Sequence, residues 1–95
     1  MTTSQSDKAA LIHLTRCLAV ALAPSITVNC VVPGLIEGTR MAQRLPQPVT
    51  ERARAQVVLR RTSSAADIAE QIVTFCRADS VTGQVAVIDG GASFH

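Results

Sequence analysis

Ser4 and Lys8 stand four residues apart at the head of the alanine- and leucine-rich segment Ser4-Gln5-Ser6-Asp7-Lys8-Ala9-Ala10-Leu11. On a helix that spacing puts a hydroxyl and an ammonium on one face, one turn apart. The chain has no tyrosine. Lys8 by itself reads equally well as a solvated lysine in a first helical turn. A second candidate is Pro33-Gly34-Leu35-Ile36, which follows the β-branched run Ile26-Thr27-Val28-Asn29-Cys30-Val31-Val32. Glycine at such an exit lets a ligand approach the main chain closely. A third is Thr82-Gly83-Gln84-Val85-Ala86-Val87-Ile88-Asp89-Gly90-Gly91, whose paired glycines suit a turn with positive φ.

The elements that must hold these groups follow from periodicity. Residues 7 to 23 read as a helix, with Leu11, Leu14, Leu18 and Ala21 or Leu22 at three- and four-residue steps and Ala10, Cys17 and Ala21 as a small-residue flank. That pattern predicts close packing on two sides. Ser4, Ser6 or Asp7 can cap its start, and Pro24 stops it. Residues 26 to 32 read as a buried parallel strand covered by helices on both faces. Asn29 within it needs hydrogen-bond partners. Gly38, Pro46 and Pro48 argue against a long helix over 35–50, which leaves one or two helical turns. A short helix is expected over 50–58. A further helix is expected over 65–77, with Ser64 and Asp67 as a capping box and Ile68, Ile72, Phe75 and Cys76 on one face. Residues 84–88 read as a short buried strand, and Asp89 as the cap of the turn behind it.

Composition narrows the class. The chain has 95 residues, 47% hydrophobic and 17% charged, with nine Lys/Arg against seven Asp/Glu. That balance and two aromatic residues do not make a nucleic-acid surface. No apolar run approaches the roughly 20 residues that span a bilayer, and no secretory signal is visible, so a cytoplasmic protein without a membrane partner is expected. Cys17, Cys30 and Cys76 each sit in an apolar stretch and are expected as buried, reduced thiols. No C-x-x-C occurs, and His13 is read as a partly exposed surface histidine without a ligand partner, so no metal site is expected.

The three motifs, in this order and with the helix after the first, resemble the C-terminal half of a short-chain dehydrogenase/reductase. The resemblance covers nearly the whole chain. It implies an α/β fold: part of a doubly wound Rossmann-type parallel sheet, as a helix-strand-helix-strand portion of one domain spanning 1–95. The N-terminal nucleotide-binding half of that domain is then missing from these residues. Hydride transfer between NAD or NADP and a carbonyl or alcohol is the implied activity. Lys8 matches the family lysine, which lowers the pKa of the catalytic tyrosine and bonds the nicotinamide ribose. Ser4 occupies the tyrosine position. Pro33, Gly34 and Ile36 match the loop that meets the nicotinamide carboxamide. The family's next threonine has Gly38 at its position here, with Thr39 one residue later. Asn29 matches an asparagine that looks structural.

The resemblance and the composition together imply a chain that is inactive by itself. No G-x-x-x-G-x-G or G-x-G-x-x-G occurs, so the loop and helix terminus that would hold a pyrophosphate are lacking. Two parallel strands joined by a right-handed crossover make a poor sheet alone. Either a missing N-terminal half or further copies of the chain are expected as partners. The alternative to a reductase fragment is a non-catalytic interaction or oligomerisation module derived from the same family.

Overall fold

The computed structural model describes residues 5–34, 44 and 46–91. Its elements run α1 (Gln5–Leu22), β1 (Cys30–Pro33), α2 (Gln47–Gln56), α3 (Ala65–Arg77) and β2 (Val85–Ile88). The two strands pair in parallel, with Cys30 opposite Val85 and Pro33 opposite Ile88. The expected parallel pair, linked through helices, is therefore present.

The strand ladder begins later than the β-branched run. Residues 26 to 29 precede it and are held by other bonds. The Val28 N–H donates to the Thr82 hydroxyl at 3.1 Å, and the Gly83 N–H donates to the Val28 carbonyl at 2.7 Å. Asn29 donates from Nδ2 to the Val81 carbonyl and accepts at Oδ1 from the Gln84 N–H, each at 3.1 Å. The Thr82-Gly83-Gln84 turn thus takes the place of ladder bonds for two residues. The Cys30 N–H then donates to the Gln84 carbonyl at 2.9 Å and the regular pairing starts.

Period-two alternation sorts the faces of β1. Thr27, Asn29 and Val31 line a groove with Ile72, Phe75 and Cys76 of α3. Val32, one residue out of phase, is buried on the other side, where α1 packs against β1. Helices cover both faces, as expected.

The packed face of α1 differs from the expected one. Thr15 and Ala19 are its buried residues, and Leu11, Leu14, Leu18 and Leu22 are exposed. Two small side chains let the helix backbone come close to the sheet; a Cβ placed on Gly83 would lie 3.5 Å from that of Ala19. The Thr15 hydroxyl is satisfied within the helix, donating to the Leu11 carbonyl at 2.7 Å. The leucine stripe found by periodicity is real, but its members flank the packed face and stay 39–53% exposed.

Helix α2 starts earlier than expected, at Gln47. Pro48 falls in its first turn, where a missing N–H removes no helical bond. Helix α3 has the expected bounds and the expected capping box: the Asp67 N–H donates to Ser64 Oγ at 3.1 Å, and the Ser64 N–H donates to Asp67 Oδ2 at 3.0 Å. The α3 face expected to be apolar is only half covered, with Ile68 and Phe75 partly buried and Ile72 and Cys76 exposed.

Candidate functional site

The carboxyl ends of the two strands converge on one carbonyl. The Ile88 carbonyl accepts from the Gly34 N–H and from the Ser63 hydroxyl, each at 2.9 Å. Ser63 is buried, so its hydroxyl bond fixes the approach to α3 against the end of β2. Gly34 leaves no room for a side chain: a Cβ there would lie 2.8 Å from Asp89 Cβ and 3.0 Å from Asp89 Cα. The Pro33-Gly34 exit is therefore a close main-chain crossing, which is what glycine permits.

The turn after β2 is equally constrained. Asp89 is buried, and its Oδ1 accepts from the Gly91 N–H at 2.9 Å, the capping role expected for it. Gly90 and Gly91 have φ of 70° and 86°. The Leu59 N–H donates to the Gly90 carbonyl at 2.8 Å. Segment 57–63 thus packs onto the strand ends through Leu59, Ser63 and the Arg61 carbonyl, which lies 2.8 Å from where a Gly90 Cβ would be. The sequence reading missed Ser63. The only available signal was a hydroxyl immediately before a helix cap.

Lys8 lies on α1, half-buried, on the same side as Thr15 and Ala19. Ala19 meets the Gly83 turn at the amino end of β2. The helix rises about 1.5 Å per residue, so Lys8 stands roughly 16 Å from Ala19 along the axis. Ser4, Ile36 and Thr39 lie outside the described residues.

The Pro33-Gly34 crossing is taken up by packing against Asp89, and the sequence has no glycine-rich loop to hold a pyrophosphate. Near the strand ends, the Asp67 carboxyl is held below its ordinary value, first by the bond from the Ser64 N–H, then by the Ser64 hydroxyl, with a smaller contribution from Arg61.

The thiols differ from expectation. Cys17 and Cys76 are exposed and Cys30 is half-buried. Cys17 Sγ lies 3.5 Å from His13 Nε2, so the histidine read as lacking a partner has one four residues on. Among the described residues, no group of three or more His, Cys, Asp or Glu could hold a metal. No described helix is long and apolar enough to cross a membrane.

This arrangement of parallel strand ends, glycine crossings and a lysine-bearing helix has matches among known proteins. Residues 2–93 match the family model described as enoyl-(acyl carrier protein) reductase. The chain is 44% identical over 88 residues to the peroxisomal 2,4-dienoyl-CoA reductase of Saccharomyces cerevisiae, covering 88% of this chain and 30% of that one. It is 40% identical over 90 residues to the 3-oxoacyl-(acyl-carrier-protein) reductase FabG of Thermotoga maritima, covering 90% of this chain and 36% of that one. The crystal structure of the alternative dihydrofolate reductase FolM of Brucella canis, complexed with NADP, superposes with a TM-score of 0.75 at 34% identity, covering 92% of this chain and 32% of that one. The chain belongs to the short-chain dehydrogenase/reductase family, and its fold is a partial Rossmann-type α/β sheet. It spans about a third of the length of the curated relatives it matches.

Proposed function

We propose that this chain is the C-terminal portion of an NAD(P)-dependent short-chain oxidoreductase and is inactive without further chain. The single observation that carries this reading is the pairing of the family match over residues 2–93 with strand ends built around Gly34, Ile88 and Asp89. When bound, the nicotinamide gives or takes the hydride. By family resemblance, Lys8 would hold the ribose hydroxyls, and Pro33, Gly34, Ile36 and Thr39 would be the residues that hold the nicotinamide end. Ser4, four residues before Lys8, holds the acid's place without its acidity. The substrate is a carbonyl or alcohol, and the remaining phosphate contacts come from an N-terminal half.

A second reading rests on α1. Leu11, Leu14, Leu18 and Leu22 leave an apolar stripe in solvent, and a monomer rarely keeps one exposed. In that reading the chain is a non-catalytic module that assembles with copies of itself.

The purified chain, assayed for NADPH or NADH oxidation with carbonyl substrates, is expected to show no turnover. Turnover that disappears in Lys8→Ala contradicts the proposal, because a proton donor other than Ser4 must then exist. A dimer lacking activity and nucleotide binding, even when an N-terminal half is supplied, favours the second reading.

A further inference from the structure

The chain leaves the sheet after Gly34 and comes back to it at Ser63, and both points are tied to one atom. The Gly34 N–H donates to the Ile88 carbonyl at 2.9 Å, and the Ser63 hydroxyl donates to the same carbonyl at 2.9 Å. A carbonyl oxygen has two lone pairs, so it holds both donors at once. Ser63 is buried, at 6% exposure, so a lost hydroxyl there is not simply replaced by solvent. The return is tied once more by the Leu59 N–H, which donates to the Gly90 carbonyl at 2.8 Å. The departure rests against Asp89, where a Gly34 Cβ would lie 2.8 Å from Asp89 Cβ. Residues 88–90 are thus gripped by the departing chain on one side and the returning chain on the other. Of the three hydrogen bonds, those of Gly34 and Leu59 are main-chain bonds, and only that of Ser63 runs through a side chain.

We propose that Ser63 is a positioning residue for the nicotinamide end of the cofactor site. It acts through the Ile88 carbonyl: by fixing the returning chain on the atom that also holds Gly34, it fixes the point from which the residues after Gly34 set out. In the reductase reading, on which this rests, Pro33, Gly34 and Ile36 hold the nicotinamide end. A serine that only stabilised the fold would protect the whole strand pair evenly. A positioning serine acts at the carboxyl end of the pair, where Gly34 and Ile88 meet.

Two measurements test this. The first is amide hydrogen exchange of the full chain. Ser63→Ala should speed exchange at Gly34 and Leu59 by about fivefold relative to Cys30, the factor for one ordinary hydrogen bond. The Cys30 N–H bonds the Gln84 carbonyl at the opposite end of the ladder, so its protection also shows that the variant is folded. The second is nucleotide binding by the chain assembled with the N-terminal half of a related reductase. Ser63→Ala should weaken NADH by about fivefold and leave ADP-ribose, which lacks the nicotinamide, unchanged. Exchange that is no faster at Gly34 than at Cys30, or an equal effect on both nucleotides, overturns the proposal and leaves the reductase reading standing. A natural-sequence complex that binds neither nucleotide overturns the reductase reading, and this proposal with it.

Discussion

Asn29 bridges the two strands before either has begun its ladder: Oδ1 accepts the Gln84 N–H and Nδ2 donates to the Val81 carbonyl, each at 3.1 Å. One side chain therefore satisfies two main-chain groups from a segment more than fifty residues away. That sets the register in which Cys30 meets Val85. Register decides which face of β1 each side chain takes, because a slip of one residue inverts them all.

Asn29→Ala should lower stability by about 2 kcal/mol, at about 1 kcal/mol for each bond. Asn29→Asp keeps the acceptor for Gln84 and loses the donor to Val81, so it should not recover the full loss. Urea denaturation measures both. A loss below about 0.5 kcal/mol for Asn29→Ala, as for a neutral surface change, would show that the bridge does not hold the strands.

Gly34→Ala should destabilise by about 1–3 kcal/mol, as overpacking does. The new methyl would meet Asp89 Cβ at 2.8 Å and Asp89 Cα at 3.0 Å, and a backbone atom cannot turn aside. Thermal unfolding of the variant checks this, and an unchanged midpoint would refute the close crossing.

Arg60→Gly should raise stability by about 1 kcal/mol. Arg60 has φ of 54°, a left-handed conformation that costs an ordinary residue roughly 1–2 kcal/mol; the gain is partly offset by the freer unfolded chain that glycine brings. A drop in stability would mean that the arginine side chain makes a compensating contact.

Asp67 sets the direction of one pH effect. Its folded value is depressed, chiefly by the Ser64 N–H, so its contribution is complete above its ordinary value of 3.8 and is lost as the pH falls through the lower folded value. Urea midpoints of the natural chain should exceed those of Asp67→Asn by a constant margin above about pH 5, and the margin should close on acidification. A margin that widens at low pH would reverse the assigned sign.

The elements legible in the sequence were those encoded locally. Helix α3 announced itself through Ser64 and Asp67, whose bonds span three residues, and β2 through a β-branched run between glycine turns. What periodicity could not supply was the direction of α1. Its leucines are the obvious stripe, yet Thr15 and Ala19 face the sheet because small side chains permit closer approach. Ser63 was illegible for a related reason: its partner, the Ile88 carbonyl, is distant in the chain. The His13–Cys17 pair was visible as an i, i+4 spacing and was overlooked. At the candidate site, the Pro33-Gly34 exit was legible from the β-branched run before it, and nothing in the described residues bears on Ser4, Ile36 or Thr39.

The central claim is that this chain carries the lysine half of a reductase site and lacks its acid. The direct measurement is carbonyl reduction by Ser4→Tyr, co-expressed with the N-terminal half of a related reductase. General acid–base catalysis contributes typically about 10²–10⁴-fold, so the variant complex should exceed the Ser4 complex by a factor in that range and lose the gain in Lys8→Ala. A complex that binds NADPH yet shows no gain from Ser4→Tyr would contradict the account.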